Sequence, residues 1–293
     1  MEILYVVACV ANPLRWRSRI ALARAALNDW LKEPNVHITL AECAYGSRSW
    51  DLADLASARL NHIPLRATTM AWSKECLLNI AIAHLPHAAD KIAVLDADIT
   101  FRRSGWATET LAALDLYPVV QPWVTAYDLG PHDEHVQTHK SFASVWHADK
   151  PVVATVAGFW SFNGGYNTYL HPGYAWGWQR HVLDRIGGLL EIGAMGSGDH
   201  HMALGMLGNY KASVPSGASD GYKNSSPRGL DAQQLRSTTS SDSPTARLSI
   251  HFTAQERARL SNSLVNVPRL RLRPCDRHQA QHVWRPRILG HQA

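Results

Sequence analysis

Cysteine is scarce in this chain, and no two cysteines are close in sequence. The four residues, Cys9, Cys43, Cys76 and Cys275, lie far apart, with no C-x-x-C among them. That spacing offers neither a zinc motif nor a dithiol redox motif. Three of them sit in apolar segments, which suits small buried hydrophobes in a reducing compartment. Long apolar runs are missing too: no stretch approaches the ~20 residues needed to span a bilayer. The opening MEILYVVACVANP lacks a basic segment and carries Glu2, so it reads as a first strand rather than a signal peptide. A cytoplasmic location with no membrane partner is expected. Lysine is absent from residues 228–293, which hold 11 arginines against 4 acids, whereas residues 1–227 hold 18 Lys+Arg against 20 Asp+Glu. The net charge of +5 therefore belongs to the tail. A basic tail of this kind can contact nucleic acid.

What is present points to a globular body. The chain has 293 residues, 46% of them hydrophobic, which is ample for a buried core. ILYVVACV, residues 3–10, is a continuous β-branched run, as in a parallel strand buried on both faces. Asn12 and Pro13 fit the N-cap and first position of a helix reaching about Leu31. HITLAECA and HIPLRAT read as the second and third strands, and Ser73 caps a helix to about His84. KIAVLD follows as a strand. Strands alternating with helices predict an α/β fold with a mostly parallel central sheet flanked by helices.

Further on, VVQPWV near 119–124 and VVATVAGFW near 152–160 read as strands, with a polar loop between them. HPGYAWGWQRHVLDRIGGL reads as a turn and a short helix ending at Gly187-Gly188. GDHHMALGMLG reads as a helix capped by Asp199 and closed by Gly208. From about residue 213 the chain turns rich in Ser, Gly, Pro and Thr, which predicts a linker and a partly disordered, poorly ordered basic tail over 213–293. Within it, ARLSIHF suggests one more strand. There is no internal repeat.

The most informative stretch is KIAVLDADITFRRSGW, residues 91–106. A buried run ends there on Asp96 and Asp98, one residue apart. In open α/β sheets ligands bind beyond the carboxyl ends of the strands. Two carboxylates at that edge suit Mg²⁺ or Mn²⁺ shared with substrate phosphates. Their bland alternative is a pair of solvated loop aspartates, and the buried run before them favours a site.

VLDADI after two strands and a helix resembles the Asp-x-Asp motif of glycosyltransferases with the GT-A (Rossmann-like) fold. Residues 171–208, HPGYAWGWQRHVLDRIGGLLEIGAMGSGDHHMALGMLG, resemble the acceptor-side motif of family-2 and galactosyltransferase-type enzymes. Their wording is similar to that of glycosyltransferases carried by bacteriophages. The resemblance covers about residues 1–210 and implies a domain over 1–212. Its nucleotide-sugar half would be 1–125 and its acceptor half 126–212. It implies that Asp96 and Asp98 hold Mn²⁺ or Mg²⁺ on the diphosphate of a UDP-linked sugar. It also implies that Ala11 and Asn12 line the nucleotide. Lys74, in the first turn of its helix, would meet a phosphate. Gly173 and Trp176, in the aromatic turn with His171, Tyr174 and Trp178, would meet the sugar, and Asp199 would be the general base. His200 or His251 would complete the metal shell. The tail departs from the family pattern: no His-x-Trp-His-like motif follows. The acceptor would be a glycan, a protein or a modified DNA base.

Two alternatives stand beside this reading. VLDADIT also fits the signature of HAD-like phosphatases, with Asp96 as nucleophile, Asp98 as acid/base and Thr100 on the phosphate. The motif comes late for that fold. A non-catalytic nucleotide-sugar or nucleic-acid-binding protein is the other, supported by the basic tail and opposed by the intact carboxylates.

Overall fold

The computed structural model describes residues 1–71, 73–147, 170–193, 198–215, 217–224 and 247–251. The first half runs β1 (Leu4–Ala11), α1 (Arg17–Trp30), β2 (Val36–Tyr45), β3 (Leu60–Ala67), α2 (Lys74–Ala83), β4 (Lys91–Leu95) and β5 (Ile99–Phe101). The second half adds α3 (Trp106–Leu116), β6 (Val119–Val120), β7 (Thr125–Leu129), β8 (His135–Ser141), β9 (Leu170–His171), β10 (Ala175–Gln179) and β11 (Arg247–His251). Short helices at Ala53–Leu55, Phe142–His147, Arg180–Ile186, Gly198–Met206, Tyr210–Ser213 and Asp220–Lys223 complete the described elements.

The main sheet has the order β3-β2-β1-β4-β10-β6. Strands β3, β2, β1 and β4 are parallel, and β10 is antiparallel to both β4 and β6. Period-2 geometry explains why β1 is apolar throughout. Leu4, Val6, Ala8 and Val10 pack against α1 and α3, through Leu27, Trp30, Leu111 and Leu114. Val7, with Tyr5, Cys9 and Ala11, packs on the other face against Leu77, Leu78 and Ile82 of α2. The sheet is thus a middle layer between two helical layers. Connections leave β1 towards β2 on one side and reach β4 on the other. Such a reversal opens a crevice at the carboxyl ends of β1 and β4.

A second sheet, β5-β11-β7-β8-β9, adjoins this edge. β11 comes from the far tail segment predicted as a strand, and it pairs antiparallel with β5 and parallel with β7. The predicted strand at 152–160 and residues 252–293 lie outside the described residues. Among the described residues no helix is long and apolar enough to cross a membrane.

Four local expectations are corrected. Asn12 does not cap α1: its side chain closes a loop by exchanging two 2.9 Å hydrogen bonds with the backbone of Trp16, and the helix begins at Arg17. Short polar side chains often divert the backbone in this way. The polar stretch after 124 is not a loop. Thr125–Leu129 and His135–Ser141 form an antiparallel pair whose buried face carries the polar Asp128 and His139, so no apolar alternation marks it. AWGWQ is not part of a turn but the antiparallel strand β10, whose Trp and Gly content masks its period. Asp199 is not a cap either: the helix begins at Gly198, and Asp199 lies in its first turn.

Candidate active site

Strand β4 is buried along its whole length and ends at Leu95. Its neighbour in sequence, β5, belongs to the other sheet, so the chain must turn between them. Asp96-Ala97-Asp98 is that turn, closed by the Ile99 amide on the Asp96 carbonyl at 3.4 Å. The Asp96 amide donates to the Tyr174 carbonyl at 2.8 Å, which ties the turn to the start of β10. Both carboxylates are half-buried in the crevice. Burial, and then repulsion from Asp96, push Asp98 up to about 7, against the opposing charges of Arg19 and Lys74.

Helix α2 brings Lys74 to the same place. Its ammonium lies 2.6 Å from Asp96 Oδ1 and 3.2 Å from Asp199 Oδ2. Burial works against that charge, but Asp199, Asp96 and Glu75 outweigh it and hold Lys74 well above its ordinary range. Burial raises Asp199 above the usual carboxylate range, with Lys74 opposing. The Gly198–Met206 helix reaches this position because its first residue has no side chain. A Cβ on Gly198 would stand 2.1 Å from Glu75 Oε1. Glu75 is 5% exposed, and burial pushes it from 4.5 to about 7 despite Lys74.

A raised acid is most stable in the fold when protonated. Glu75 therefore contributes stability below about pH 4.5 that is lost as the pH rises to about 7. Glu75→Gln is expected to stabilise the protein at pH 8 by up to about 3 kcal/mol and by far less at pH 4.5, as read by urea unfolding at the two pH values.

The opposite wall is aromatic. Tyr174 has φ +77, a left-handed backbone unusual for a bulky residue. Several contacts hold it there. Its ring stacks on His171 at 3.9 Å, and its hydroxyl donates to buried Asp128 at 3.0 Å. Asp128 also accepts from His139 Nε2 at 3.0 Å, and burial lowers His139 to about 4, so the ring is neutral at pH 7. Gly173 sits against Asp199: a Cβ there would be 3.4 Å from Asp199 Oδ2 and 2.9 Å from the His171 ring. Trp176 is half-buried, and its indole donates to the Pro172 carbonyl at 2.6 Å.

The structure thus brings Lys74, Asp96, Asp98, Asp199 and Gly173 together. Ala11 ends β1 in the same crevice, where its carbonyl accepts from Arg19 at 3.4 Å, and Asn12 forms the adjoining loop. His200 is buried one residue past Asp199 and is held near 4 by burial and then by His201. His201 is a packing residue, between Ser213 Oγ and Tyr222 Oη at 2.8 Å each. His251 pairs through its backbone with Leu129. Thr100, the phosphate contact of the phosphatase alternative, stands in β5 opposite Ser249. Arg19 of α1 also acts here: its charge opposes the rise of Asp98. Tyr174 was seen as part of an aromatic turn; its left-handed backbone has no sequence signal short of glycine or asparagine.

The donor set fits a hard divalent cation. Mg²⁺-class ions are commonly held by one or two carboxylates together with substrate phosphates, and Asp96 and Asp98 supply two half-buried carboxylates at the end of β4. Among the described residues no group of three or more His, Cys, Asp or Glu side chains stands ready to hold a metal by itself.

Fold and site together define an α/β protein with a mostly parallel sheet and a carboxylate cluster at its strand-end crevice. No family model and no curated protein matches the chain. Solved structures do match. One is S. aureus TarS 1–349 in complex with UDP-GlcNAc, with TM-score 0.43 and 9% identity over 74% of this chain and 57% of that one. The same TarS segment in another crystal structure gives TM-score 0.44, 10% identity, 74% of this chain and 59% of that one. The mannosyltransferase PcManGT from Pyrobaculum calidifontis, in complex with GDP-Man and Mn²⁺, gives TM-score 0.40 and 17% identity, over 72% of this chain and 53% of that one. The chain spans less than two thirds of each of these proteins.

Proposed function

We propose that this chain is a metal-dependent glycosyltransferase. It takes a sugar from a nucleoside diphosphate donor, UDP-linked, and transfers it to a hydroxyl acceptor. The observation that carries the reading is the meeting of Asp96 and Asp199 on the Lys74 ammonium, beside Asp98, in the crevice of a 3-2-1-4 parallel sheet. The motif resemblance in VLDADI and in residues 171–208 supports the same assignment.

Asp96 and Asp98 would hold Mn²⁺ or Mg²⁺. When bound, the cation offsets the charge that the departing diphosphate acquires. Ala11 and Asn12 line the nucleotide side. Gly173, where a side chain would crowd the His171 ring and Asp199, would meet the sugar through its backbone, and Trp176 of β10 would offer an apolar face to its C–H groups. Asp199 takes the acceptor proton, and burial makes it a better base than an ordinary carboxylate. A single displacement assisted by one base inverts the anomeric centre. The cytoplasm is the proposed compartment, and the basic tail is proposed to touch nucleic acid or another acidic partner.

The test is calorimetric titration of UDP with and without Mn²⁺. Binding in the micromolar range with Mn²⁺, at least about tenfold weaker without it, is the expected result. No UDP binding under either condition overturns the proposal.

A further inference from the structure

We infer that Lys74 is a resident counter-ion for the metal site, and that a divalent cation has to displace its ammonium from Asp96 in order to bind. The inference rests on the metal-dependent reading above and deepens it.

Three observations carry it. First, Lys74 opens α2, and the start of a helix is an unfavourable place for a cation. Its position is therefore imposed by the carboxylates around it rather than by its own helix. Second, the pairing is close and shielded. The side chain is 18% exposed, and the ammonium lies 2.6 Å from Asp96 Oδ1. Breaking such a contact costs far more than breaking a surface ion pair. Asp96 is also anchored through its amide to Tyr174, so its backbone is not free to carry the carboxylate away from the lysine. Third, the ammonium has a second seat. Asp199 Oδ2 stands 3.2 Å away, so Lys74 can leave Asp96 and remain paired.

These relations give Lys74 two jobs as a positioning residue. Before ligand binds, it neutralises Asp96 and weakens the site's hold on free metal. When metal arrives together with a diphosphate, the released ammonium keeps Asp199 as a partner and gains the diphosphate as another. Metal and nucleotide then favour each other's binding, while metal alone binds poorly.

The experiment titrates Mn²⁺ alone into the full chain, with bound metal counted by electron paramagnetic resonance. Wild type is compared with Lys74→Met, with Lys74→Gln as a second uncharged form should methionine disturb the fold, and with Arg19→Gln. Arg19 acts on Asp98 electrostatically and its guanidinium bonds the Ala11 carbonyl, so its loss removes a charge without freeing Asp96. The expected result is about tenfold tighter Mn²⁺ binding by the Lys74 variants, the scale of one charge-assisted hydrogen bond, and a gain of less than about threefold for Arg19→Gln. Adding UDP should then strengthen Mn²⁺ binding less in the Lys74 variants than in wild type. Equal gains in the Lys74 and Arg19 variants, or no gain in the Lys74 variants when wild type binds Mn²⁺, would overturn the inference alone. No Mn²⁺ binding by any form, with or without UDP, would overturn the metal-dependent reading and this inference with it.

Discussion

Asp199→Asn is expected to lower the transfer rate by about 10²–10⁴-fold, the range of general base catalysis. UDP affinity in Mn²⁺ should stay within about threefold of wild type. Asparagine has nearly the same volume, and its carbonyl can still accept from the Lys74 ammonium, now 3.2 Å from Asp199 Oδ2. It cannot take a proton. The measurement is release of UDP from a UDP-sugar, to water or to an acceptor found by screening, alongside UDP calorimetry. Burial raises Asp199, so the wild-type rate should fall as the pH is lowered through its pKa, and the residual rate of the variant should lack that limb. A wild-type rate in Asp199→Asn would reduce this residue to a partner of Lys74.

The second large effect is at Asp98. Asp98→Asn is expected to weaken Mn²⁺-dependent UDP binding by about 100-fold or more, since the site loses one of its two anionic oxygen donors. Stability should move the other way. Asp98 is raised from 3.8 to about 7, so its charged form is disfavoured in the fold. Stability is lost as the pH rises through that interval, and a neutral amide escapes the loss. At pH 8 the variant should therefore be at least as resistant to urea as wild type. Weak binding in a destabilised variant would point to a damaged fold, and weak binding in a stable one to a lost ligand.

Local chemistry was legible wherever one physical demand dominated. ILYVVACV and KIAVL are apolar because both faces of β1 and β4 are covered by helices, and their strands emerged from the sequence without ambiguity. Asp96 and Asp98 stood out because carboxylates rarely end such a run. Gly187 ends its helix with φ +82, as its place in the pattern predicted. The strand in ARLSIHF was visible too, although its partners were not.

Other features were hidden because their residues answer to distant partners. The β7–β8 pair looked like a loop because Asp128 and His139, both buried, satisfy one another across the two strands. β10 looked like a turn because Gly177 fits against Val120 and α3 on one face while the flanking tryptophans pack with Leu77, Val182 and Leu183 on the other, so its alternation is of size rather than polarity. Asp199 looked like a helix cap, whereas its carboxylate faces a lysine 125 residues earlier in the chain.

The sequence by itself determined the strand and helix order as far as Leu95 and the placing of two carboxylates just past that strand, because burial periodicity and carboxylate placement are local properties. Only the tertiary structure decided that Lys74 stands between Asp96 and Asp199, that Tyr174 is held in a left-handed conformation, and that the far segment Arg247–His251 joins β5 to β7. Each of these depends on which remote surfaces meet when the sheets close, and closure is a property of the whole chain's packing rather than of any one segment.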